Sequence, residues 1–564
     1  MSTSTEPSLS VATVPRKAMV FGFGTKLIIS RFPVSDDESP SPYNSTIVED
    51  GQIVRAVSFL RIPDGPLCVV TAGDGKMINV YNVSSDKAAN PHAQDSSDEE
   101  EDEAKKHQTF VTHLSKPSFS YGPHTKRITS LATGEDGSVI FADKFGEVFR
   151  LRLSFSPQHT IEVSGDLKAP AVSLLQHLST LSTLYLSAPV PRLEDVSMTE
   201  DVRNVEPRRL FTCDKDRHAR VSRYPETYSI EQFLWAKRGH QSVVTCLTEV
   251  PSLCDGDTDA PTAATSGHKT ANKRNRRHNA PYCYYVSGEA SGRVCFWAAR
   301  NDVLDGDPAP SFHLISSFAA GSGGQGDHRA ALQAPSGAEG QPVVEDNTKA
   351  YGSVVSVTYV VLNRTELCAL HPRDYVRGIL VAYEKSSELL YLPLYNMGEY
   401  GLHVSAAHQE RIPLPRPPVA LASTSDSNAV ALLRDGSLTF VGLVQKPDAD
   451  RTDEEKKICS VCSNISASPK VLPWRMPYLE QRIKSVMCQP AGGAAGGQTQ
   501  LEALDLCAHW KLEPSDPRNR ERDSDEDNEA EATEEPDAGK GAKGRRKRRS
   551  DTPLFRFLHQ LFYC

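Results

Sequence analysis

Long apolar runs are missing from this 564-residue chain. No stretch reaches the ~18 consecutive apolar residues that would cross a bilayer as a helix, so membrane insertion by helices is excluded. Met1 to Ser10 is polar and has no apolar h-region, and a secretory signal is not expected. Hydrophobic residues make up 38% of the chain, below the ~45–50% of a compact domain, so part of it is expected to lie outside any core. The length allows three or four domains or one large repeat array. Twelve cysteines are too few for a disulfide scaffold at this length and read as reduced intracellular thiols. Helical periodicity over ten or more residues is scarce; Leu554-Phe555, Phe557-Leu558 and Leu561-Phe562 supply one amphipathic segment at the end.

The signs of an active site are equally sparse. Gly22-Phe23-Gly24 follows a strand-like run, but the third glycine, the helix and the later acidic residue of a dinucleotide loop are not evident, which leaves a hairpin turn. Cys459-Ser460-Val461-Cys462 has zinc-knuckle spacing. A structural zinc site takes four ligands, and neither Cys488 nor Cys507 sits in a second tight pair, so two free thiols are the better reading. No nucleophile, base and carboxylate stand at a family spacing. The composition therefore points to a non-enzymatic chain that presents a surface to partners.

Charge is distributed unevenly. The net charge is −9, yet Asp95 to Glu103 alone holds seven acidic residues and Asp516 to Asp537 eleven. Without these runs and the bases of Arg545, Arg546, Lys547, Arg548 and Arg549, the remainder is slightly basic. Blocks of like charge repel and stay solvated, so both acidic runs are expected to be disordered. The run Arg545 to Arg549 fits a nuclear-import signal, which predicts a nuclear location with the cytoplasm as a second site. A second basic cluster, Lys269 to His278 with Lys273, Arg274, Arg276 and Arg277, has no strand pattern; it is either a solvated loop or a contact to RNA phosphates.

What the chain does have is strands and a repeated hairpin. Met19-Val20-Phe21, Lys26-Leu27-Ile28-Ile29 and Pro66-Leu67-Cys68-Val69-Val70 are short, β-rich and bounded by turn residues. A small apolar strand, a tight turn and a second strand recur at Ala72–Tyr81, Ala142–Phe149, Cys213–Val221, Ser287–Trp297, Ala382–Tyr391 and Arg434–Phe440. Asp-Gly or its equivalent supplies the positive φ that such a hairpin requires. Hairpins that cannot bury their faces alone stack radially, and the pattern predicts an all-β fold, a WD-repeat β-propeller of six or seven blades, with seven favoured.

The repeats are about 50 to 100 residues apart, wider than a plain ~40–45-residue repeat. Insertions at 84–123, 189–207, 251–280 and 321–348 account for the excess. The expected organisation is a disordered N-terminus over 1–15, the propeller over 16–515, a charged tail over 516–550 and an amphipathic segment over 551–564. Lys17 to Phe32 is expected to pair with a C-terminal strand and close the ring. His177 and His240 precede strand-like segments, where they would hydrogen-bond inside a blade, and Trp297 stands where a core aromatic packs.

One stretch carries more than the generic pattern. Phe211-Thr212-Cys213-Asp214-Lys215-Asp216-Arg217-His218-Ala219-Arg220-Val221-Ser222-Arg223-Tyr224-Pro225, followed by Gly239-His240, resembles the T-[AS]-D-R-D-E-x-I-[RK]-[VI]-S signature of the non-catalytic WD-repeat subunit of eukaryotic tRNA (guanine-N7)-methyltransferase. Ala142-Asp143-Lys144-Phe145-Gly146-Glu147-Val148 resembles that family's A-D-K-S-G-D-V, and Leu174-Leu175-Gln176-His177-Leu178-Ser179 its L-L-G-H-x-S, in the family's order. The resemblance is specific from about Ile128 to Trp297. Lys215 stands for Arg, Arg217-His218-Ala219 for E-x-I and Gln176 for Gly.

The resemblance implies a division of labour. A separate catalytic subunit would bind S-adenosylmethionine and methylate a guanine in the tRNA variable loop, while this chain, holding no cofactor, would form a heterodimer with it and meet tRNA mainly through the complex. It also implies that Arg220 contacts an acidic residue of that subunit, with Lys215, Arg217 and His218 near it. The alternative is a WD-repeat adaptor in another complex, for ubiquitin ligation or chromatin, docking through its charged tails.

Overall fold

In the computed structural model the described residues are 8–32, 45–83, 114, 116–165, 167–190, 208–234, 239–250, 282–300, 311–319, 351–361, 377–395, 402–404, 409–425, 428–445, 467–491 and 498–506. They form seven antiparallel sheets, the blades of a β-propeller. Blade 1 runs from Leu9 to Glu49, blade 2 from Val54 to Tyr121, blade 3 from Ile128 to Gln176 and blade 4 from Leu181 to Phe233. Blade 5 runs from Val244 to Ala319, blade 6 from Val354 to Pro413 and blade 7 from Pro418 to Val471. Second strands such as Ser138–Asp143 and Arg377–Tyr383 are buried at every position, because a blade covers each face. That double burial is why they read as unbroken small and apolar runs rather than as alternating ones.

All six repeat copies are the hairpin between the second and third strands of blades 2 to 7. The left-handed turn position is glycine in blades 3, 5 and 7, with φ of 82° at Gly146, 82° at Gly292 and 78° at Gly436. Blades 2 and 4 put Lys76 (φ 63°) and Arg217 (φ 70°) there instead. Gly22-Phe23-Gly24 is the matching hairpin of blade 1, with Phe23 paired to Lys26.

The N-terminus and the ring closure differ from expectation. Leu9–Val14, expected to be disordered, is the first strand of blade 1, paired with Ala18–Phe23. Its Leu9 and Val11 pack into the apolar seam shared with blade 7. Lys17 to Phe32 does not pair with a C-terminal strand: Ala18–Phe23 and Lys26–Arg31 bond each other and their chain neighbours, so blade 1 is one continuous stretch. The expected insertion 84–123 contains Phe119–Tyr121, the fourth strand of blade 2, because Phe119 and Tyr121 pack on the core between blades 2 and 3.

Side-chain packing closes the ring in place of strand exchange. Met19, Phe21 and Phe23 of blade 1 meet Val430, Leu432 and Phe440 of blade 7. Helix α1 (Pro477–Met487), not anticipated from the sequence, locks the seam with Leu479, Ile483, Val486 and Met487. Those four recur at i, i+4, i+7 and i+8, one face of a helix, after a proline in the first turn. Arg482 Nε donates to Ser45 Oγ of blade 1 at 2.8 Å, and Cys488 Sγ to the Asp435 carbonyl of blade 7 at 3.5 Å.

Lys273, Arg274, Arg276, Arg277, Cys459, Cys462, the bases Arg545 to Arg549, both acidic runs and the segment Leu554 to Cys564 lie outside the described residues.

Ile483 is fully buried at the seam. Ile483→Ala is expected to cost about 2–5 kcal/mol, read as a lower urea midpoint of unfolding; a midpoint equal to wild type would show that α1 does not hold the closure.

Candidate functional site

The hairpin of blade 4 gathers the residues of the family-like stretch. Arg208–Asp214 pairs with Ala219–Tyr224, and Thr212 lies opposite Arg220. Asp214, its side chain 1% exposed, organises the turn between them. Its carboxylate accepts from His177 Nδ1 at 3.0 Å, from the His218 backbone N–H at 2.9 Å and from His218 Nδ1 at 3.3 Å. Thr212 Oγ1 lies 2.8 Å from His177 Nε2 and completes the chain. Burial opposes ionisation of Asp214, but the hydrogen bonds from His177 and His218 outweigh it and hold the carboxyl below the usual range.

The four residues singled out in the sequence are brought together on this hairpin, in different states. Lys215 Nζ is lowered by burial and by the nearby Arg127, and its backbone N–H donates to the Thr180 carbonyl at 3.1 Å. Arg217, in the left-handed conformation, has a buried Nε with no hydrogen-bond partner among the described residues. Arg220 is half-buried on the third strand, where Nε donates to Ser222 Oγ at 2.8 Å and Nη2 to the Thr227 carbonyl at 2.7 Å. Burial pulls its pKa down, and among the described residues it pairs with no carboxylate. A guanidinium has five N–H donors, so among the described residues these two bonds leave three of the Arg220 donors uncommitted beside a partly desolvated charge.

Equivalent networks recur in the neighbouring blades and mark what is structural. Trp297 Nε1 donates to Ser287 Oγ at 2.9 Å, Ser287 reaches His240 Nε2 at 3.3 Å, and His240 Nδ1 reaches Glu289 at 3.0 Å. The expected blade-internal roles of His177, His240 and Trp297 are therefore met. His240, Glu289 and Cys295 lie close enough to suggest a metal site. Their polar atoms are spent on this relay, and burial and Glu289 raise the Cys295 thiol well above its usual value, which disfavours the thiolate a metal needs. In blade 2 the sequence reading missed a variant: Asp50 takes the histidine position and accepts from Thr71 Oγ1 at 2.6 Å and from Tyr81 at 3.0 Å. A hydroxyl-to-aromatic spacing of ten, shared by Thr71/Tyr81 and Ser287/Trp297, was the available signal.

The first strands of all seven blades enclose a central cavity of about 1260 Å³. Hydroxyls such as Thr129, Ser182, Thr245 and Ser356 line it, with Arg55, Arg127 and Lys215 as its cations. Asp74 binds Arg55 through two bonds of 3.0 and 2.7 Å and lies 4.0 Å from Arg127.

Asp214→Asn is expected to cost about 1–3 kcal/mol by weakening a buried hydrogen-bond acceptor. A carboxyl whose folded pKa is depressed contributes stability that is present above the unfolded value of ~4 and is lost as pH falls through the folded one. Thermal unfolding between neutral and acid pH should therefore show the gap between wild type and variant closing below that value; a gap independent of pH would refute the assignment.

No family model matches the chain. Among curated proteins it is similar to the tRNA (guanine-N(7)-)-methyltransferase non-catalytic subunit TRM82 of Candida glabrata, 27% identical over 175 residues, 31% of this chain and 33% of the relative. TRM82 of Meyerozyma guilliermondii is 31% identical over 131 residues, covering 23% and 25%. The subunit wdr4 of Dictyostelium discoideum is 29% identical over 136 residues, covering 24% and 26%. The matches thus span a quarter to a third of each relative's length. Two solved structures align more broadly at 11% identity: Saccharomyces cerevisiae Sqt1, TM-score 0.40 over 78% of this chain and 83% of that one, and the Doa1 WD40 propeller domain, TM-score 0.37 over 76% and 89%. With its seven blades and histidine-centred blade networks, the chain is a WD-repeat propeller that resembles the non-catalytic subunits of tRNA (guanine-N(7)-)-methyltransferase.

Proposed function

We propose that this chain is the non-enzymatic scaffold that binds and stabilises the catalytic subunit of a tRNA (guanine-N7)-methyltransferase. The reading is supported by its similarity to proteins named as non-catalytic subunits of tRNA (guanine-N(7)-)-methyltransferase. S-adenosylmethionine belongs to the catalytic partner and tRNA is met mainly through the complex. The work takes place in the nucleus, reached through Arg545 to Arg549, and also in the cytoplasm.

Arg220 supports the location of the contact. A half-buried guanidinium that meets no carboxylate among the described residues has already given up part of its hydration, and an acidic side chain from a partner would complete it with two parallel bonds. Asp214 and the two histidines fix the turn that carries Lys215, Arg217 and His218 beside it. Docking on a surface already fixed would order loops of the catalytic subunit, so that less binding energy goes into ordering them at each turnover.

The test is methyl transfer from labelled S-adenosylmethionine to unmodified tRNA with this chain, the catalytic subunit, both, or both with Arg220→Glu. Activity is expected only with both wild-type chains. Removing one side of a desolvated charge pair costs ~2–5 kcal/mol, so Arg220→Glu should abolish co-elution as well as activity, and Arg220→Lys should retain part of each. Full activity from the catalytic subunit alone, without co-elution, would overturn the reading.

A further inference from the structure

Two large apolar side chains stand exposed beside the blade 4 hairpin, and the fold gives no reason for either. Phe145, at the tip of the blade 3 hairpin, is 50% exposed, and Leu178, after the blade-bonding His177, is 93% exposed. The position of Phe145 is Gly75, Asp216, Ser291, Ser386 and Asp435 in the other repeat hairpins. The position of Leu178 is Gly51, Thr125 and Gln241 elsewhere. Hairpin tips on this scaffold are otherwise polar or small.

The two residues share one surface with the candidate site. His177 N–H donates to the Gly146 carbonyl at 2.9 Å, Thr180 Oγ1 to the Lys144 carbonyl at 2.6 Å, and Lys215 N–H to the Thr180 carbonyl at 3.1 Å. The tip with Phe145, the loop with Leu178 and the turn with Lys215 to His218 are thereby bonded in series. A Cβ on Gly146 would stand 2.2 Å from the Ser179 carbonyl, which shows how closely tip and loop approach. The rim is cationic: Lys126 and Lys144 each hold Nζ 5.0 Å from the Phe145 ring centroid, and Lys215 lies next to Arg127.

We infer that Phe145 and Leu178 are apolar anchors of the catalytic-subunit interface, and that they enter an apolar socket with an acidic rim on that partner. The inference rests on the scaffold reading and extends its contact from blade 4 to blade 3. An aromatic and an aliphatic anchor inside a polar rim is the anatomy of a protein–protein hot spot. Nucleic acid is the weaker fit, because Leu178 has no face for a base to stack on and both lysines already occupy the Phe145 ring. The cations make the complementary rim acidic and would steer association.

The experiment titrates the full chain against the purified catalytic subunit, and separately against an unmodified tRNA transcript, with unfolding temperatures followed in parallel. Phe145→Ala and Leu178→Ala are each expected to weaken the catalytic-subunit affinity about tenfold without moving the unfolding temperature or the tRNA affinity. Leu178→Asp should weaken it more than Leu178→Ala, by like-charge repulsion. Lys126→Glu with Lys144→Glu should slow association and flatten its salt dependence. Unchanged catalytic-subunit affinity in the Phe145 and Leu178 variants overturns the inference; if their tRNA affinity falls instead, the surface belongs to RNA. Arg220→Glu separates the two levels. If it abolishes binding and the anchors do not matter, only the extension fails, whereas a wild-type chain that never binds the catalytic subunit removes both.

Discussion

Every blade of this protein depends on the next one to cover it. A single blade sheet with apolar residues on both faces, as in the second strands of blades 3 and 6, has no stable solvent-exposed form. The requirement passes from blade to blade until it returns to the first, so the seam between blades 7 and 1 is the condition on which the whole ring rests. Here Phe21, Phe440 and α1 meet that condition through side chains, with no strand exchanged between the ends of the propeller. An entropic cost of closing so long a chain is offset by apolar burial at a single seam.

The polar networks perform a second task. His177–Asp214, His240–Glu289 and Asp50–Thr71 each tie the loop that enters a blade to the strands inside it. They satisfy buried donors and acceptors that would otherwise be costly, and they fix the hairpin tips in space. In blade 4 this fixing has a further consequence. Asp214 holds a turn whose left-handed position is an arginine, and the neighbouring strand carries a half-buried arginine that pairs with no carboxylate among the described residues. Stability of the blade and presentation of charge thus come from one carboxylate.

Most of the architecture was legible in the chain. The six hairpin copies, the blade histidines and Trp297 are local features: turn chemistry and short strands are written in consecutive residues, and each fell where the spacing put it. Helix α1 escaped notice because its four buried residues are spread among polar ones and its mean hydropathy is low, so only the i, i+4, i+7, i+8 spacing betrays it. Leu9–Val14 was hidden for a related reason: its inner-strand role comes from Ala18–Phe23 and from blade 7, not from its own pattern.

The sequence by itself determined the class of fold, the repeated hairpin and the family-like run from Phe211 to Pro225, because these depend on neighbours along the chain. Tertiary structure alone decided how the ring closes, which of the basic residues near Arg220 are committed, and that Phe145 and Leu178 stand on one surface with them. Those outcomes depend on burial and on contacts between residues tens to hundreds of positions apart, and a linear pattern carries no information on which charge has lost its water or which apolar side chain has been left without cover.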